Sequence, residues 1–331
     1  MTLHDKPETL AAAVQAGERR ALAKAITLIE SARAEDRVRA EDVLAALSPP
    51  ALPTLRIGLS GTPGVGKSTL IETLGLHLTG AGHRVAVLAV DPSSARTGGS
   101  ILGDKTRMEH LARDPAAFIR PSPAQRQLGG VARRTREVIR LVEAAGHDIV
   151  LVETVGVGQS ETMVSQMTDV FVLMLAPAGG DELQGVKRGI MEMADLILVN
   201  KADGPLEAQA RATCADYAAA LHLMRPRPGD PPGYPLAMTV SAQTEAGLTE
   251  AWGALSDLAE ARRASGATQR ARADQNRTWF YQEIEAILLG RLAGDPRLAK
   301  LRHRLEEEVL AGAQAPTTAA RALIDAILPE G

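Results

Sequence analysis

The chain has 331 residues, 45% of them hydrophobic and 2% aromatic, with 37 basic against 40 acidic side chains and a formal net charge of −3. A length prior of about 150 residues per domain suggests roughly two units, interspersed charge argues against a nucleic-acid surface, and so few aromatics argue against base stacking or an aromatic-lined sugar site. One cysteine, Cys214, excludes an internal disulfide framework, no apolar run approaches the roughly 20 residues of a bilayer span, and the N-terminus is too polar for a signal peptide, so the expectation is a cytoplasmic protein with no membrane or nucleic-acid partner.

Residues 1–50 are rich in Ala, Leu, Glu and Arg, and Leu22, Ala25, Ile26 and Ile29 recur at three- and four-residue steps. That spacing predicts two or three amphipathic helices, stopped by Ser48-Pro49-Pro50. Beyond Pro53 the pattern changes to a short apolar run at 55–60, then Gly61-Thr62-Pro63-Gly64-Val65-Gly66-Lys67-Ser68, then helical spacing over 68–78. The eight residues fit G-x-x-x-x-G-K-[ST] and sit at a strand-to-helix junction, the context that a phosphate-binding loop requires. Backbone N–H groups turned inward and the helix N-terminus would cradle phosphate, Lys67 would reach the outer phosphates, and the Ser68 hydroxyl would ligate Mg²⁺.

Further near-continuous apolar runs fall at 85–90, 149–152, 170–175, 196–199 and 236–240, with a shorter one at 118–120, and helical stretches at 128–145, 206–222 and 247–263 separate them. Strands apolar on both faces and alternating with helices predict an α/β doubly wound, mostly parallel sheet over about 51–261, with its ligand at the carboxyl ends of the strands. The proline-rich stretch 224–235 reads as a surface excursion with a passive connecting role. Helices at 274–290, 296–311 and 317–328 end the chain, and this 262–331 arm is too short for a thick core of its own, so its apolar stripe calls for burial against the sheet domain or another subunit.

Asn200-Lys201-Ala202-Asp203 follows the run at 196–199 and points to guanine. A carboxylate at Asp203 can accept from the ring N–H and the exocyclic amine of guanine, whereas adenine would leave it unpaired. Asn200 and Lys201 would brace the loop, and Ser241-Ala242-Gln243 would present backbone N–H groups to the guanine oxygen. Asp91 and Glu153 at strand ends, with Asp104 in the loop beyond Asp91, are the candidate carboxylates for Mg²⁺.

Taken together, GTPGVGKST at 61–69, VDPSSARTGGSILGDKTRM at 90–108, ETVGVGQSE at 153–161 and NKAD at 200–203 closely resemble the MeaB/ArgK family of P-loop GTPases, of the SIMIBI type, which includes the human methylmalonic aciduria type A protein. The resemblance spans essentially the whole chain. It implies a GTP-dependent chaperone of adenosylcobalamin-dependent methylmalonyl-CoA mutase that gates cofactor delivery, protects the mutase from inactivation and is homodimeric through its C-terminal helices. Residue by residue it implies phosphate contacts from Lys67 and its neighbours through Thr69, Asp91 and Asp104 in a first switch, Glu153 in a second, and residues 178–187, with Asp181 and Lys187, in a third mobile loop coupling nucleotide to mutase.

One departure from Ras-like enzymes stands out. They carry a glutamine directly after D-x-x-G, whereas here Glu153-x-x-Gly156 is followed by Val157, and Gln159 comes two residues later. No water-positioning residue is secured, which predicts slow intrinsic GTP hydrolysis accelerated by the partner. Two alternatives compete: a P-loop kinase of the transport-protein type, and a metal-insertion GTPase, which would want clustered Cys and His ligands where the seven histidines here are scattered.

Overall fold

The computed structural model describes residues 6–90, 108–121, 128–154, 160–177 and 188–326. The chain divides into two compact units, Met1–Arg272 and Ala273–Gly331.

The first unit opens with three helices, α1 (Pro7–Gln15), α2 (Arg19–Glu30) and α3 (Ala34–Ala45). Their apolar stripes, including Leu10, Val14, Leu22, Ile26, Ile29 and Val43, are buried. Seven strands follow: β1 (Leu55–Gly61), β2 (Val85–Val90), β3 (Ala117–Pro121), β4 (Ile149–Thr154), β5 (Val170–Leu175), β6 (Leu196–Val199) and β7 (Leu236–Thr239). They form one sheet in the order β3-β2-β4-β1-β5-β6-β7, and every pairing is parallel. β1, β2, β4, β5 and β6 are buried along their whole length, which is why each reads as an unbroken apolar run. Between the strands lie α4 (Lys67–Gly80), α5 (Glu109–Arg113), α6 (Leu128–Ala144), α7 (Ser160–Ser165), α8 (Arg188–Met193) and α9 (Glu207–Leu221), and α10 (Leu248–Ala264) follows the last of them. On one face Leu70, Ile71, Leu74 and Leu78 of α4 and Leu255 and Leu258 of α10 close the core over Ile57, Leu59, Val87, Leu151, Val172 and Leu198. β1 lies between β4 and β5, so the chain winds outward in both directions from it, and this reversal opens a crevice at the carboxyl ends of the strands.

The N-terminal helices are fastened to the sheet by side chains. Arg19 at the start of α2 donates to the Ala117 carbonyl at 3.0 Å, and Glu30 at its end pairs with Arg120, whose Nε donates at 3.1 Å. α2 is thus tied at both ends to edge strand β3. From α6, Arg134 donates to the Ser31 carbonyl at 3.2 Å and Arg140 to the Leu44 carbonyl at 3.3 Å, satisfying acceptors that helix ends leave open.

At the amino end of the sheet, three aspartates immediately precede strands and each accepts a backbone N–H from the adjoining chain: Asp148 from Arg84 at 2.7 Å, Asp169 from Arg56 at 2.9 Å, and Asp195 from Phe171 at 2.7 Å. Each acid in turn meets a basic side chain, His83 for Asp148, Arg272 for Asp169, and Arg262 with Arg227 for Asp195. Arg262 also binds Asp230 at 2.6 Å, and the Tyr234 hydroxyl donates to the Ala254 carbonyl at 2.7 Å. Since Arg227, Asp230 and Tyr234 all belong to the stretch 224–235, that connection is stitched to the start of β6 and to α10 and is not the passive loop its prolines suggested.

The second unit contains most of α11 (Ala267–Gly294), then α12 (Pro296–Leu310) and α13 (Pro316–Asp325). Asp295 caps α12 by accepting from the Arg297 N–H at 2.9 Å, with Pro296 at the first helical position. Leu298, Leu305 and Ala319 are buried, but Phe280, Tyr281, Ile284, Ile287, Leu288 and Leu289 along α11 are exposed.

Candidate functional site

The crevice is built around the turn from β1 into α4. Gly61 must be glycine, because a Cβ there would lie 2.3 Å from the Met174 carbonyl oxygen of β5. Gly66 takes φ +94° as the cap of α4, and a Cβ on it would sit 2.5 Å from Asn200 Nδ2. Pro63 and Gly64 form the exposed tip, Val65 is buried beneath it, and Thr69 is exposed one turn into the helix. Lys67 is only 7% exposed, and its ammonium donates to the carbonyls of Gly61 at 2.7 Å and Thr62 at 3.3 Å. Burial pulls its pKa below 10.5 because it disfavours the charged form, while the carboxylates of Glu153 and Glu161 act in the opposite direction.

Glu153 stands at the end of β4, buried, and its Oε1 lies 3.4 Å from the Ser68 hydroxyl. An oxygen from the first turn of α4 and one from the end of β4 thus converge beside the lysine. The neighbouring Thr154 hydroxyl donates to Ser60 Oγ at 3.0 Å, tying the ends of β4 and β1 together. Asp91, Asp104, Asp181 and Lys187 lie outside the described residues.

The 200–203 stretch leaves the end of β6 and faces the loop directly. Asn200, 2% exposed, donates from Nδ2 to the Val65 carbonyl at 2.9 Å and accepts at Oδ1 from the Ala242 N–H at 3.1 Å. Lys201, at φ +59°, reaches over the loop to donate to the Gly64 carbonyl at 2.8 Å. Asp203 accepts a short hydrogen bond from the Ser241 hydroxyl, which itself accepts from the Thr244 N–H at 3.1 Å. The backbone N–H of Ser241 is given to the Ala246 carbonyl at 2.9 Å, so the N–H groups of both Ser241 and Ala242, expected to face a base oxygen, are engaged within the protein here. Gln243 is exposed.

Three participants escaped the motif reading. Glu161 is 1% exposed in the first turn of α7 and acts on Lys67 from there; its only sequence signal was an acid closing the 153–161 stretch. Glu72 on α4 accepts from the His110 N–H at 2.8 Å, bracing α5. Thr73 on α4 donates to the Ala242 carbonyl at 3.0 Å.

A parallel sheet with a glycine turn and lysine at the central strand, joined by Asn200 to an acid-bearing loop two strands away, defines a P-loop GTPase. Residues 22–297 match the family model described as methylmalonyl Co-A mutase-associated GTPase MeaB, and the chain belongs to that family. A putative GTPase of Caulobacter vibrioides is 50% identical over 305 residues, covering 92% of each chain. The methylmalonic aciduria type A homolog, mitochondrial, of Mus musculus is 47% identical over 320 residues, 94% of this chain and 77% of that protein. Among solved structures, a LAO/AO transport system kinase is 36% identical, with a TM-score of 0.75 over 99% of both chains. As a member of this GTPase family, the chain hydrolyses GTP.

Proposed function

We propose that this GTPase serves an adenosylcobalamin-dependent methylmalonyl-CoA mutase as a nucleotide-gated chaperone, controlling cofactor delivery and protecting the mutase from inactivation. The observation that carries the reading is the match of 22–297 to a family described by its association with that mutase. The mouse relative, named for methylmalonic aciduria, supports it.

The charge around Lys67 supports a divalent cation. Among the described residues, the buried carboxylates of Glu153 and Glu161 both act on the one buried ammonium of Lys67. Hard oxygen donors at Ser68 and Glu153 suit Mg²⁺, with Asp91 and Asp104 as further candidates. Bound there, the ion offsets charge that builds on the phosphoryl oxygens. Lys67 gives up its Gly61 and Thr62 carbonyls to meet the outer phosphates, the N-terminus of α4 supplies backbone N–H groups, and Asp203, oriented by Ser241, accepts from the guanine edge. Nothing in the 153–161 stretch duplicates a glutamine directly after the D-x-x-G position, so intrinsic hydrolysis is slow and the partner accelerates it through the segments 91–108, 153–161 and 178–187, with Asp181 and Lys187 as the candidates for coupling to the mutase.

The GTPase domain is assigned to 51–261, with 262–331 as a dimerisation arm whose exposed stripe on α11 meets a second copy. Single-turnover GTP hydrolysis with and without mutase tests the proposal. Stimulation by mutase and co-purification with it are expected; equal rates and no association would remove the chaperone role. The likeness to a LAO/AO transport system kinase favours a second reading, phosphoryl transfer to a transport protein. Labelled γ-phosphate appearing only as free phosphate decides against that. Metal insertion has less support, since among the described residues no cluster of three His, Cys, Asp or Glu could hold a metal ion.

A further inference from the structure

The phosphate-binding helix holds the base-binding loop by a bond that no motif contains. Thr73 lies six residues beyond Lys67 on α4, about 9 Å along the axis at 1.5 Å per residue. Its hydroxyl is 3.0 Å from the Ala242 carbonyl, 169 residues away in sequence, and 3.0 Å from the Thr69 carbonyl one turn back on its own helix. The other side of Ala242 is gripped as well, because its N–H is donated to Asn200 Oδ1 at 3.1 Å. Asn200 then reaches the Val65 carbonyl, which closes a circuit from phosphate loop to β6 to the 241–243 loop and back through Thr73 to the phosphate helix. Ser241, next to Ala242, is the residue that orients Asp203.

We propose that Thr73 is a positioning residue for base recognition: by fixing the Ala242 carbonyl it sets where Ser241 and Asp203 stand, and so it sets the preference for guanine over other bases. This rests on the reading of Asp203 as the guanine-edge acceptor. The Thr73 methyl and the rest of α4 are not at issue; the hydroxyl is. Without it the carbonyl of a residue only 7% exposed loses the proton that it shares with the Thr69 carbonyl, and the 241–243 loop loses its tie to α4, while the bonds from Asn200, Ala246 and Thr244 hold its other side. Phosphate binding, carried by Lys67 and the loop backbone, does not depend on that bond.

The test compares the full-length protein with Thr73→Val, which keeps the shape and removes the hydroxyl, and Thr73→Ser, which keeps the hydroxyl. Dissociation constants for GDP, IDP and ADP are measured by competition against a fluorescent GDP analogue, in parallel with melting temperature. Thr73→Val should weaken GDP about tenfold and leave ADP near its wild-type value, so that the GDP-to-ADP preference narrows about tenfold, in line with loss of one part-buried hydrogen bond. Thr73→Ser should retain the wild-type preference. An unchanged preference in Thr73→Val overturns the proposal, as does equal weakening of GDP and ADP, which would mean a disturbed phosphate helix. Loss of preference in Thr73→Ser as severe as in Thr73→Val also overturns it, by assigning the effect to the methyl. If the wild-type protein itself does not prefer GDP to ADP, the guanine reading fails first and the proposal goes with it.

Discussion

Asn200 Nδ2 donates to the Val65 carbonyl at 2.9 Å, so one buried side chain joins the phosphate loop to the end of β6, where Asp203 follows. The same amide accepts from Ala242, and a Cβ on Gly66 would collide with it at 2.5 Å. Asn200→Ala removes both bonds and leaves a buried carbonyl and a buried N–H to find water, a loss of about 1–3 kcal/mol. The melting temperature should fall by several degrees, and the stabilisation conferred by saturating GDP should shrink, because the preformed link between the two halves of the site is gone. Differential scanning calorimetry with and without GDP checks this; a wild-type GDP increment in the variant would show that Asn200 is only a fold residue.

Glu153 and Glu161 both oppose, electrostatically, what Lys67 attracts. Glu153→Gln keeps an oxygen acceptor for the Ser68 hydroxyl and deletes one negative charge from the pocket. Metal-free GDP should then bind about 3–10-fold tighter, while the enhancement of GTP binding by Mg²⁺ falls, since the cation no longer relieves the same repulsion. Nucleotide titrations in EDTA and across a Mg²⁺ series read both effects. Identical Mg²⁺ dependence in wild type and variant would remove Glu153 from the metal site.

How much of this was legible before the fold was known follows from where the determining contacts lie in sequence. β1, β2, β4, β5 and β6 could be read because each is buried on both faces, and residues 61–68 and 200–203 because their chemistry is contained in a few adjacent letters. The acids that precede β4, β5 and β6 could not be matched to Arg262, Arg272 and His83, because such pairs join residues that are 65 to 103 positions apart for Asp148 to His83 and Asp169 to Arg272. The role of 224–235 was hidden for the same reason: prolines announce a break in regular structure but do not reveal that Arg227 reaches Asp195 at the start of β6 and that Asp230 holds Arg262 of α10. Thr73 looked like one more polar helix residue until Ala242 came to lie beside it.

His147 is a group whose protonation the fold resists. It is 5% exposed, with its ring tilted 56° against Phe118 and Nδ1 3.0 Å from the Val142 carbonyl. Burial lowers its pKa from 6.5 to about 4; the bond to Val142 opposes the shift, while Arg84 and Arg19 add to it. Between those two values the unfolded chain binds a proton that the folded chain refuses, so stability is full above pH 6.5 and is lost as pH falls toward 4, with no further loss from this group below that. Across the window the contribution is about 3 kcal/mol. Urea midpoints at pH 7.5 and pH 4.5 should therefore separate more in the wild type than in His147→Gln. Equal separations would show that this imidazole is not what the acid titration reads.

The exposed stripe on α11 makes the last prediction. Tyr281, Ile284 and Leu288 follow one another at three- and four-residue steps, and Tyr281 is 60%, Ile284 37% and Leu288 50% exposed in the single chain. A helix face of this kind is stable in water when a partner covers it, and a specific interface of standard size hides about 800 Å² on each side. In the proposed dimer a second copy would bring an identical apolar stripe, related to the first by a twofold axis. Leu288→Glu places a carboxylate in the middle of that face and, by symmetry, a second one near it, so association should fall by at least a hundredfold in dissociation constant. Because α11 leaves the GTPase unit after Arg272, whose guanidinium is held by Asp169 at 2.6 Å, the substitution should leave GDP affinity at the wild-type value. Sedimentation velocity of the wild type and Leu288→Glu, run beside a GDP titration, separates the outcomes: a wild-type monomer, or a dimer indifferent to Leu288→Glu, would assign the stripe to a partner other than this chain.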